Sequence, residues 1–299
     1  LMKAWDYLLK SVYGTFTDHP RFNWQFRPGL VKNGSINISD DYFKGLESFV
    51  AASEELKDSP YYLTDLCEMT AHYLGSKAEI LTRQIDQEYL LGDTLQAHFL
   101  QSRFETFMLG MDRILSQHPT LRLDRWVSFA SKAARTEAQR KQYEMNARRI
   151  VTVWGPPVDD YSARMWSGLV GSYYLGRWKE YYKGRDSGKS ADLSSWERKW
   201  VEENRVYKKW NSDFDLIDFS RKMIGLSQDI SSADLLLNRP AMIGTWSLAR
   251  NSSKDLLFNI PARMLVGLNG VSLECLKGKG DIEVTGLVLE ADGKVIYSS

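Results

Sequence analysis

The sequence predicts a mainly α-helical protein, an irregular helical bundle followed by a small β-sandwich segment. Two observations support the bundle: apolar residues recur every three or four positions through most of residues 1–220, and no repeat of fixed length is present. A third observation supports the β segment. From about residue 235 the sequence changes to short runs rich in β-branched residues, separated by Gly, Asn and Asp-Gly.

The helices are predicted in order from their apolar faces. The stretch LMKAWDYLLKSVY forms the first, and Ser39 or Asp40 provides the N-cap of the second, after a loop rich in Pro, Gly and Asn. A long helix begins at Ser59-Pro60, and the stretch LQAHFLQSRFETFMLGMDRILSQHP forms the next one. The stretch LRLDRWVSFASKAARTEAQRKQYEMNARRIVTV is then predicted as a single helix.

The change of pattern divides the chain into two predicted domains, a helical one over residues 1–234 and a β-rich one over residues 235–299. In the second, Ala291-Asp292-Gly293-Lys294 is predicted to form a hairpin turn. Four or five short strands are too few to close a sandwich. We therefore expect the β segment to be incomplete, or to pair with something outside this chain.

Composition and charge exclude several classes of function. Lys plus Arg number 39 and Asp plus Glu 38, so the net charge of +1 gives no general attraction to nucleic acid or to an anionic membrane. No apolar run approaches the ~20 residues that a membrane span needs. Cys67 and Cys275, with four scattered histidines, provide neither a disulfide framework nor a zinc cluster. We predict no cofactor, no metal, no nucleic-acid partner and no membrane span.

The basic run from Lys132 to Arg149 is predicted to be a solvated helix face rather than a polyanion site. Glu137 and Glu144 each precede a basic residue, Lys141 and Arg148, by four positions. This order of charges stabilises an exposed helix. The run therefore does not point to a ligand.

The stretch VTVWGPPVDDYSARMWSGLVGSYYLGRWKEYY, residues 151–182, holds the strongest candidate site. Its Trp-Gly-Pro-Pro break ends the preceding helix, because proline removes a donor and clashes with a continuing turn. We expect the break to expose Trp154 at the same edge as Tyr161, the first aromatic residue of a new helix. Asp159 or Asp160 is expected to cap that helix. A capping aspartate can also accept a hydrogen bond from a ligand. The two aspartates are not expected to act as a catalytic pair, because a glycosidase needs two carboxylates that face each other across the bond to be cut, and neighbouring residues rarely do.

The same residues carry a family resemblance. The order V-T-V-W-G-P, then D-Y after a short loop, then W-S-G-L-V-x-x-Y-Y-x-x-R-W resembles the C-terminal helical domain of α-N-acetylglucosaminidases, glycoside hydrolase family 89. The opening AWDYLLKSVYGT, the element Arg27-Pro28-Gly29-Leu30, YYLTDLCEMT and KQYEMNAR resemble that family in the same order. The resemblance covers roughly residues 1–215.

The resemblance implies an activity and a set of site residues. Enzymes of this family release terminal α-linked N-acetylglucosamine with retention, using two glutamates of a (β/α)8 barrel that precedes the helical domain, so this chain is expected to lack both. Matched residue by residue, Trp154 and Tyr161 are implied to contact the sugar, and Val158 is implied to form an aliphatic wall. Asp160 is also expected to contact the substrate, because a capping aspartate can accept a hydrogen bond from a ligand at the rim of the pocket.

The leading hypothesis is therefore a non-catalytic C-terminal portion of a secreted α-N-acetylglucosaminidase. The resemblance implies two partners, an N-acetylglucosamine-terminated glycan and the catalytic barrel domain of the same polypeptide. It implies a secreted, periplasmic or lysosomal location, and no hydrolysis by this chain alone. The β segment resembles an accessory module of bacterial secreted glycosidases. Two alternatives stay open: a free-standing glycan-binding module whose β segment binds, and a structural spacer in which Trp154 only staples two helices.

Overall fold

The computed structural model describes residues 1–11, 21–28, 40–155, 159–203, 210 and 214–231, and the backbone of residues 288–291 and 294–298. In these residues the chain is mainly helical, as predicted. The α-helices in order are α1 (Met2–Lys10), α2 (Asp40–Ala51), α3 (Ser53–Leu56), α4 (Pro60–Leu91), α5 (Thr94–Leu115), α6 (Leu123–Lys132), α7 (Glu137–Ile150), α8 (Leu175–Ser187), α9 (Leu193–Glu202) and α10 (Leu216–Gly225).

The centre of the helical unit is a hairpin of α4 and α5. At the predicted start of α4, the Ser59 hydroxyl accepts a hydrogen bond from the backbone N–H of Tyr62 (3.4 Å), and a proline occupies the first turn. Gly92 ends the helix with a φ of 79°, which glycine adopts without a Cβ clash. Asp93 then caps α5 by accepting from the N–H of Gln96 (2.9 Å). Because two residues join the helices, α4 and α5 run antiparallel and pack along each other.

The other helices surround this hairpin. α1 packs on α2, α6 packs on α7, and α10 contacts α2, α4 and α5. One apolar core links them, and much of the aromatic content of the chain lies in it. The largest fully buried aromatic side chains include Trp24, Trp200, Tyr73, Tyr173, Tyr174, Phe22, Phe49, Phe104 and Phe107.

The stretch predicted as one helix after residue 120 is two helices, α6 and α7. The Thr136 hydroxyl accepts from the backbone N–H of Gln139 (3.2 Å), and the side-chain oxygen of Gln139 accepts from the N–H of Arg135 (2.9 Å). Such reciprocal bonds satisfy the free N–H groups at a helix start. They therefore begin a new helix at Glu137 and let the chain fold back as a hairpin.

The charge pairs predicted along α7 also differ from those observed. Arg140 contacts both Glu137 (2.6 Å) and Glu144 (3.1 Å). Arg148 is buried and donates to the backbone carbonyl of Val201 at the end of α9 (2.9 Å). The side of α7 that was predicted to be solvated thus also anchors the hairpin to the bundle.

Tyr161 does not begin a helix, which corrects the sequence prediction. Residues 161–168 form turns and an extended stretch, in which the N–H of Ser167 donates to the carbonyl of Leu121 (2.8 Å). The next helix starts with a π-helical stretch, Leu169–Tyr174, and continues as α8. Asp112 of α5 fixes this start, because its carboxylate accepts from the N–H groups of Gly168 (2.7 Å) and Gly171 (2.8 Å).

Residues Gly267–Ser299 form a second compact unit, separate from Leu1–Val266. Strands β1 (Val288–Ala291) and β2 (Lys294–Ser298) pair antiparallel, with Ala291 opposite Lys294. This register confirms the predicted hairpin turn. The described residues show this hairpin and no sandwich around it. The other predicted strands and the predicted boundary between residues 234 and 235 lie outside the described residues.

Candidate functional site

The candidate site is the corner, which we define as residues 151–161 between α7 and the extended stretch before the π-helix. The backbone N–H of Trp154 donates to the carbonyl of Arg149 (2.8 Å), and that of Asp160 donates to the carbonyl of Thr152 (2.9 Å). Thr152 is buried, and its hydroxyl donates to the carbonyl of Arg148 (2.8 Å). These bonds fold the two sides of the corner against the end of α7.

Trp154 and Tyr161 lie together at the surface of the corner, as the sequence predicts. Their ring centroids are 5.5 Å apart with the planes at 65°, and the side chains are 42% and 52% exposed. The guanidinium of Arg21 lies 6.0 Å from the centre of the Tyr161 ring and donates to the carbonyl of Asp160 (2.5 Å). The two rings therefore form an exposed aromatic pair beside one cation.

Among the described residues of the corner, two that are not glycine have a positive φ. Trp154 has a φ of 26° and Asp160 a φ of 59°. Aspartate tolerates a positive φ, but a bulky side chain rarely adopts it, and such a residue costs of the order of 1–3 kcal/mol. The corner thus holds an exposed tryptophan in a strained conformation.

Asp160 is buried, at 4% exposure, and does not lie at the rim as predicted. Arg177 of α8 donates through Nη1 to both carboxylate oxygens (3.0 Å each), and the backbone N–H of Arg27 donates to Oδ2 (3.1 Å). Since no helix starts here, Asp160 caps none. Its carboxylate joins three segments of the chain, and contact with a sugar stays a prediction for this residue.

Arg177 is the centre of a buried ion cluster that supports the corner. Besides Asp160, Nη1 donates to Glu197 of α9 (2.9 Å), and Nη2 donates to the carbonyl of Gln25 (2.9 Å). The guanidinium of Arg27 donates to both carboxylate oxygens of Glu197. Removing Arg177 would leave the buried carboxylate of Asp160 without a side-chain cation, and breaking a buried pair in this way typically costs about 3–5 kcal/mol. We call Arg27, Asp160, Arg177 and Glu197 the corner cluster.

Burial and charge act in opposite directions on the protonation of the corner cluster. Burial raises the pKa of Asp160, and the positive charge of Arg177 opposes that rise. Burial also acts to lower the pKa of Arg177, but the surrounding Tyr173, Asp160 and Glu197 raise it above its ordinary value. Arg177 therefore remains a cation, and the cluster serves to hold the backbone rather than to exchange protons.

The remaining candidate residue, Val158, lies outside the described residues, as do both prolines of the break. Two surface cavities, of about 370 and 190 Å³, lie beside α5 and away from the corner. Among the residues that the structure describes, no group of three or more His, Cys, Asp or Glu could hold a metal ion. No described helix is both long enough and apolar enough to cross a membrane.

Three of the residues that hold the corner in place had no predicted role. Arg177 and Arg27 are letters of the motifs quoted above, in Y-Y-x-x-R-W and Arg27-Pro28-Gly29-Leu30, and Glu197 carries no local signal. Arg177 stands among aromatic and apolar residues, and an arginine in that setting is itself a sign of a buried ion pair, since unpaired charges are seldom buried.

Comparison with known proteins identifies the family. The family model for the alpha-N-acetylglucosaminidase (NAGLU) C-terminal domain matches residues 1–228. This chain belongs to that domain family. The chain is also similar to human alpha-N-acetylglucosaminidase. The two are 30% identical over 186 residues, which cover 59% of this chain and 25% of the human protein.

Solved structures share the fold of this NAGLU C-terminal domain. A family 89 glycoside hydrolase from Clostridium perfringens in complex with 2-acetamido-1,2-dideoxynojirmycin superposes with a TM-score of 0.68 and 25% identity, over 78% of this chain and 30% of the other. A doubly substituted form of the C. perfringens enzyme, in complex with its substrate GlcNAc-alpha-1,4-galactose, gives the same TM-score at 23% identity. The chain thus spans less than a third of the relatives it matches.

Proposed function

We propose that this domain supplies an aromatic wall to the sugar pocket of an alpha-N-acetylglucosaminidase whose catalytic glutamates lie in a separate (β/α)8 barrel. The observation that carries the proposal is the pair formed by Trp154 and Tyr161, exposed together on a strained and rigidly supported corner. An indole face packs on the C–H side of a pyranose without a charged partner. A tyrosine adds a hydroxyl that can donate to a sugar oxygen.

The substrate class comes from the relatives. The C. perfringens enzyme is described with GlcNAc-alpha-1,4-galactose as its substrate, and a human relative is an alpha-N-acetylglucosaminidase. We extend to this chain a glycan that ends in α-linked N-acetylglucosamine. In this proposal the domain is non-catalytic, and the bond is cut by carboxylates of the barrel with retention of configuration. The location that accompanies this function is secreted, periplasmic or lysosomal.

The test is kinetic and uses the polypeptide that joins this domain to its catalytic domain. Trp154→Ala is expected to lower kcat/KM for an aryl α-N-acetylglucosaminide about 30-fold, which corresponds to about 2 kcal/mol. Tyr161→Phe, which keeps the ring, is expected to lower it about fivefold through loss of one hydroxyl. Rates measured over a range of substrate concentrations give both values.

Tyr61→Ala is the matched control, because Tyr61 is 83% exposed at the start of α4. Its kcat/KM should stay within twofold of the wild-type value. If Trp154→Ala also stays within twofold while the protein remains folded, the aromatic pair does not line the pocket. The proposal then fails, and the structural-spacer alternative gains support.

A further inference from the structure

The larger of the two surface cavities, about 370 Å³, lies near the turn that joins α4 to α5. Side chains three or four positions apart, and therefore on one face of a helix, line it from α4: Gln84, Gln87 and Glu88. Side chains at the same spacing line it from α5: Gln96, Phe99 and Arg103. We call this space the α4–α5 cavity. Each of the two helices thus presents a mainly polar face to it.

The side-chain amides of the α4–α5 cavity are not used by the fold. Within the parts of the chain that the structure describes, Gln84, Gln87 and Gln96 form no side-chain hydrogen bond. Gln87 is nevertheless buried, at 9% exposure. Buried polar groups that only serve folding are hydrogen-bonded in most cases. The amide of Gln87 is therefore available to a group that enters the cavity.

The third wall of the α4–α5 cavity, formed by Asp229 and Ile230, is held in place by the two helices. The guanidinium of Arg103 donates to both carboxylate oxygens of Asp229 (2.7 and 2.6 Å). The buried ammonium of Lys77 donates to the carbonyl of Ile230 (2.6 Å) and lies 4.0 Å from the centre of the Phe43 ring. The cavity is therefore preformed, which lowers the entropic cost of holding a ligand.

The chemistry of the lining fits a neutral ligand with many hydroxyl groups. An amide side chain both donates and accepts hydrogen bonds, as a hydroxyl group does. Glu88 and Asp229 outnumber Arg103, so the charge of the lining disfavours an anion. Phe99 adds a ring that is 57% exposed, on which the C–H side of a pyranose can pack. The volume lies within the range of ~300–1,000 Å³ that is typical of small-molecule sites.

We propose that the α4–α5 cavity binds one neutral pyranose of a glycan, at a place that shares no residue with the corner. The inference rests on the proposed function, because a glycan substrate at the corner brings such sugars to this domain. The observation that carries it is the unpartnered amide of Gln87 in a preformed, mainly polar cavity.

A chemical-shift titration of the ¹⁵N-labelled 299-residue chain tests the proposal. The probe is GlcNAc-alpha-1,4-galactose, and the signals followed are the side-chain amides of Gln84, Gln87 and Gln96. They are expected to shift with a dissociation constant of about 1–10 mM, a range suited to one sugar held by a few hydrogen bonds and one ring. No saturable shift of these signals up to about 50 mM probe overturns the proposal.

Two variants remove the groups that are expected to hold the sugar. Phe99→Ala, at an exposed position where folding is not at risk, is expected to raise the dissociation constant about tenfold through loss of the ring. Gln87→Leu, which keeps the size of the side chain, is expected to raise it about fivefold through loss of the amide.

Each variant has a matched control outside the cavity. Phe129→Ala replaces a ring that is 54% exposed on α6, and Gln142→Leu replaces an exposed glutamine of α7. Both controls should leave the dissociation constant within about twofold of the wild-type value. An effect of Phe99→Ala no larger than that of Phe129→Ala overturns the proposal, as does an equal effect of Gln87→Leu and Gln142→Leu.

The neutral character of the ligand is tested with a charged counterpart of the probe. In this disaccharide galacturonic acid replaces galactose, so the two probes differ by one carboxylate. It is expected to bind at least about fivefold more weakly, because Glu88 and Asp229 repel it. Equal or tighter binding overturns the assignment to a neutral sugar.

Trp154→Ala separates this site from the corner. It should lower turnover in the intact polypeptide, as proposed above, and leave the dissociation constant at the α4–α5 cavity within about twofold. If Trp154→Ala abolishes the shifts of the cavity amides, these shifts originate at the corner and the inference is overturned. Because the titration measures no turnover, a failure of the cavity and a failure of the Trp154 kinetics are distinguishable.

Discussion

Trp154 is the residue in which structure and proposed function meet most closely. A tryptophan that only stapled two helices would be buried, whereas Trp154 is 42% exposed. Its φ of 26° is also unfavourable for a bulky side chain. Strained residues persist where the surrounding structure fixes them, and they cluster at functional sites. The exposure and the strain together favour the sugar-wall proposal over the staple.

The role of Asp160 could not be predicted from its neighbours in the sequence. A helix cap depends on residues within one turn, but Arg177 and Arg27, which bind this carboxylate, are 17 and 133 positions away. The aspartate lies in a loop after a helix break and before an aromatic stretch, where a capping residue was expected. Long-range ion pairs override that local pattern because they satisfy a charge that would otherwise be buried alone.

Asp86 on α4 gives a pH dependence that can be measured. Its Oδ1 is buried without a hydrogen-bond partner among the described residues, and burial raises the pKa of the carboxyl from 3.8 to about 6, with Arg185 opposing. The folded state therefore binds this proton more tightly than the unfolded state does. As the pH rises from about 4 to above 6, the free energy of unfolding should fall by up to about 3 kcal/mol.

The matched variant is Asp86→Asn. It should unfold with less dependence on pH over the same range, and it should be more stable than the wild type at pH 7. Urea denaturation at a series of pH values provides the comparison, since all other titrating groups are common to both proteins. A parallel pH dependence of the two proteins would contradict the assignment.

At the scale of elements, the sequence predicted those helix starts and turns that depend on neighbouring residues. Ser59 and the proline after it start α4 where expected, and Asp292-Gly293 lies between the paired residues of the β hairpin. The break between α6 and α7 also had a signal, Thr136 followed three residues later by Gln139, which the continuous apolar spacing concealed. The π-helix had none. It depends on Asp112, whose carboxyl group is buried within the apolar face of another helix.

Asp112 should therefore be critical for the start of the π-helix. Asp112→Ala leaves the N–H groups of Gly168 and Gly171 without an acceptor, and each such buried group costs about 1–3 kcal/mol. We expect the free energy of unfolding to fall by about 3 kcal/mol or more. Chemical denaturation of the isolated chain measures it.

Asp218→Ala, in the exposed first turn of α10, is the control and should cost less than about 1 kcal/mol. Gly171→Ala tests the same contact from the other side, because its Cβ would lie 2.8 Å from Cγ of Asp112. It should destabilise the protein by about 1–3 kcal/mol. If Asp112→Ala is no worse than Asp218→Ala, the π-helix start has another support.

At the scale of the whole molecule, the resemblance to the family placed residues 1–215 correctly within the matched residues 1–228. The sequence could indicate this membership because the motifs around the corner keep their order. It could not show that the corner is held from four separate segments, since that arrangement exists only after folding. The role of the C-terminal unit stays a prediction.

The isolated 299-residue chain is expected to have no hydrolytic activity on an aryl α-N-acetylglucosaminide. In the proposed function both catalytic carboxylates lie in the barrel, and the two buried acids of the corner cluster, Asp160 and Glu197, are already engaged by arginine. Release of the aryl group, measured over hours at high protein concentration, should therefore not exceed the uncatalysed rate. Turnover that disappears when a carboxylate of this chain is replaced would show that the domain is itself catalytic.

The corner cluster limits which chain segments can be exchanged between homologous enzymes. Arg177 ties together residues 25–27, Asp160, its own helix and Glu197, so the loop that displays Trp154 is not an independent cassette. A chimaera that imports only the loop would set foreign acids against a native guanidinium. Recombination at this place should succeed when all four segments are inherited together from one parent.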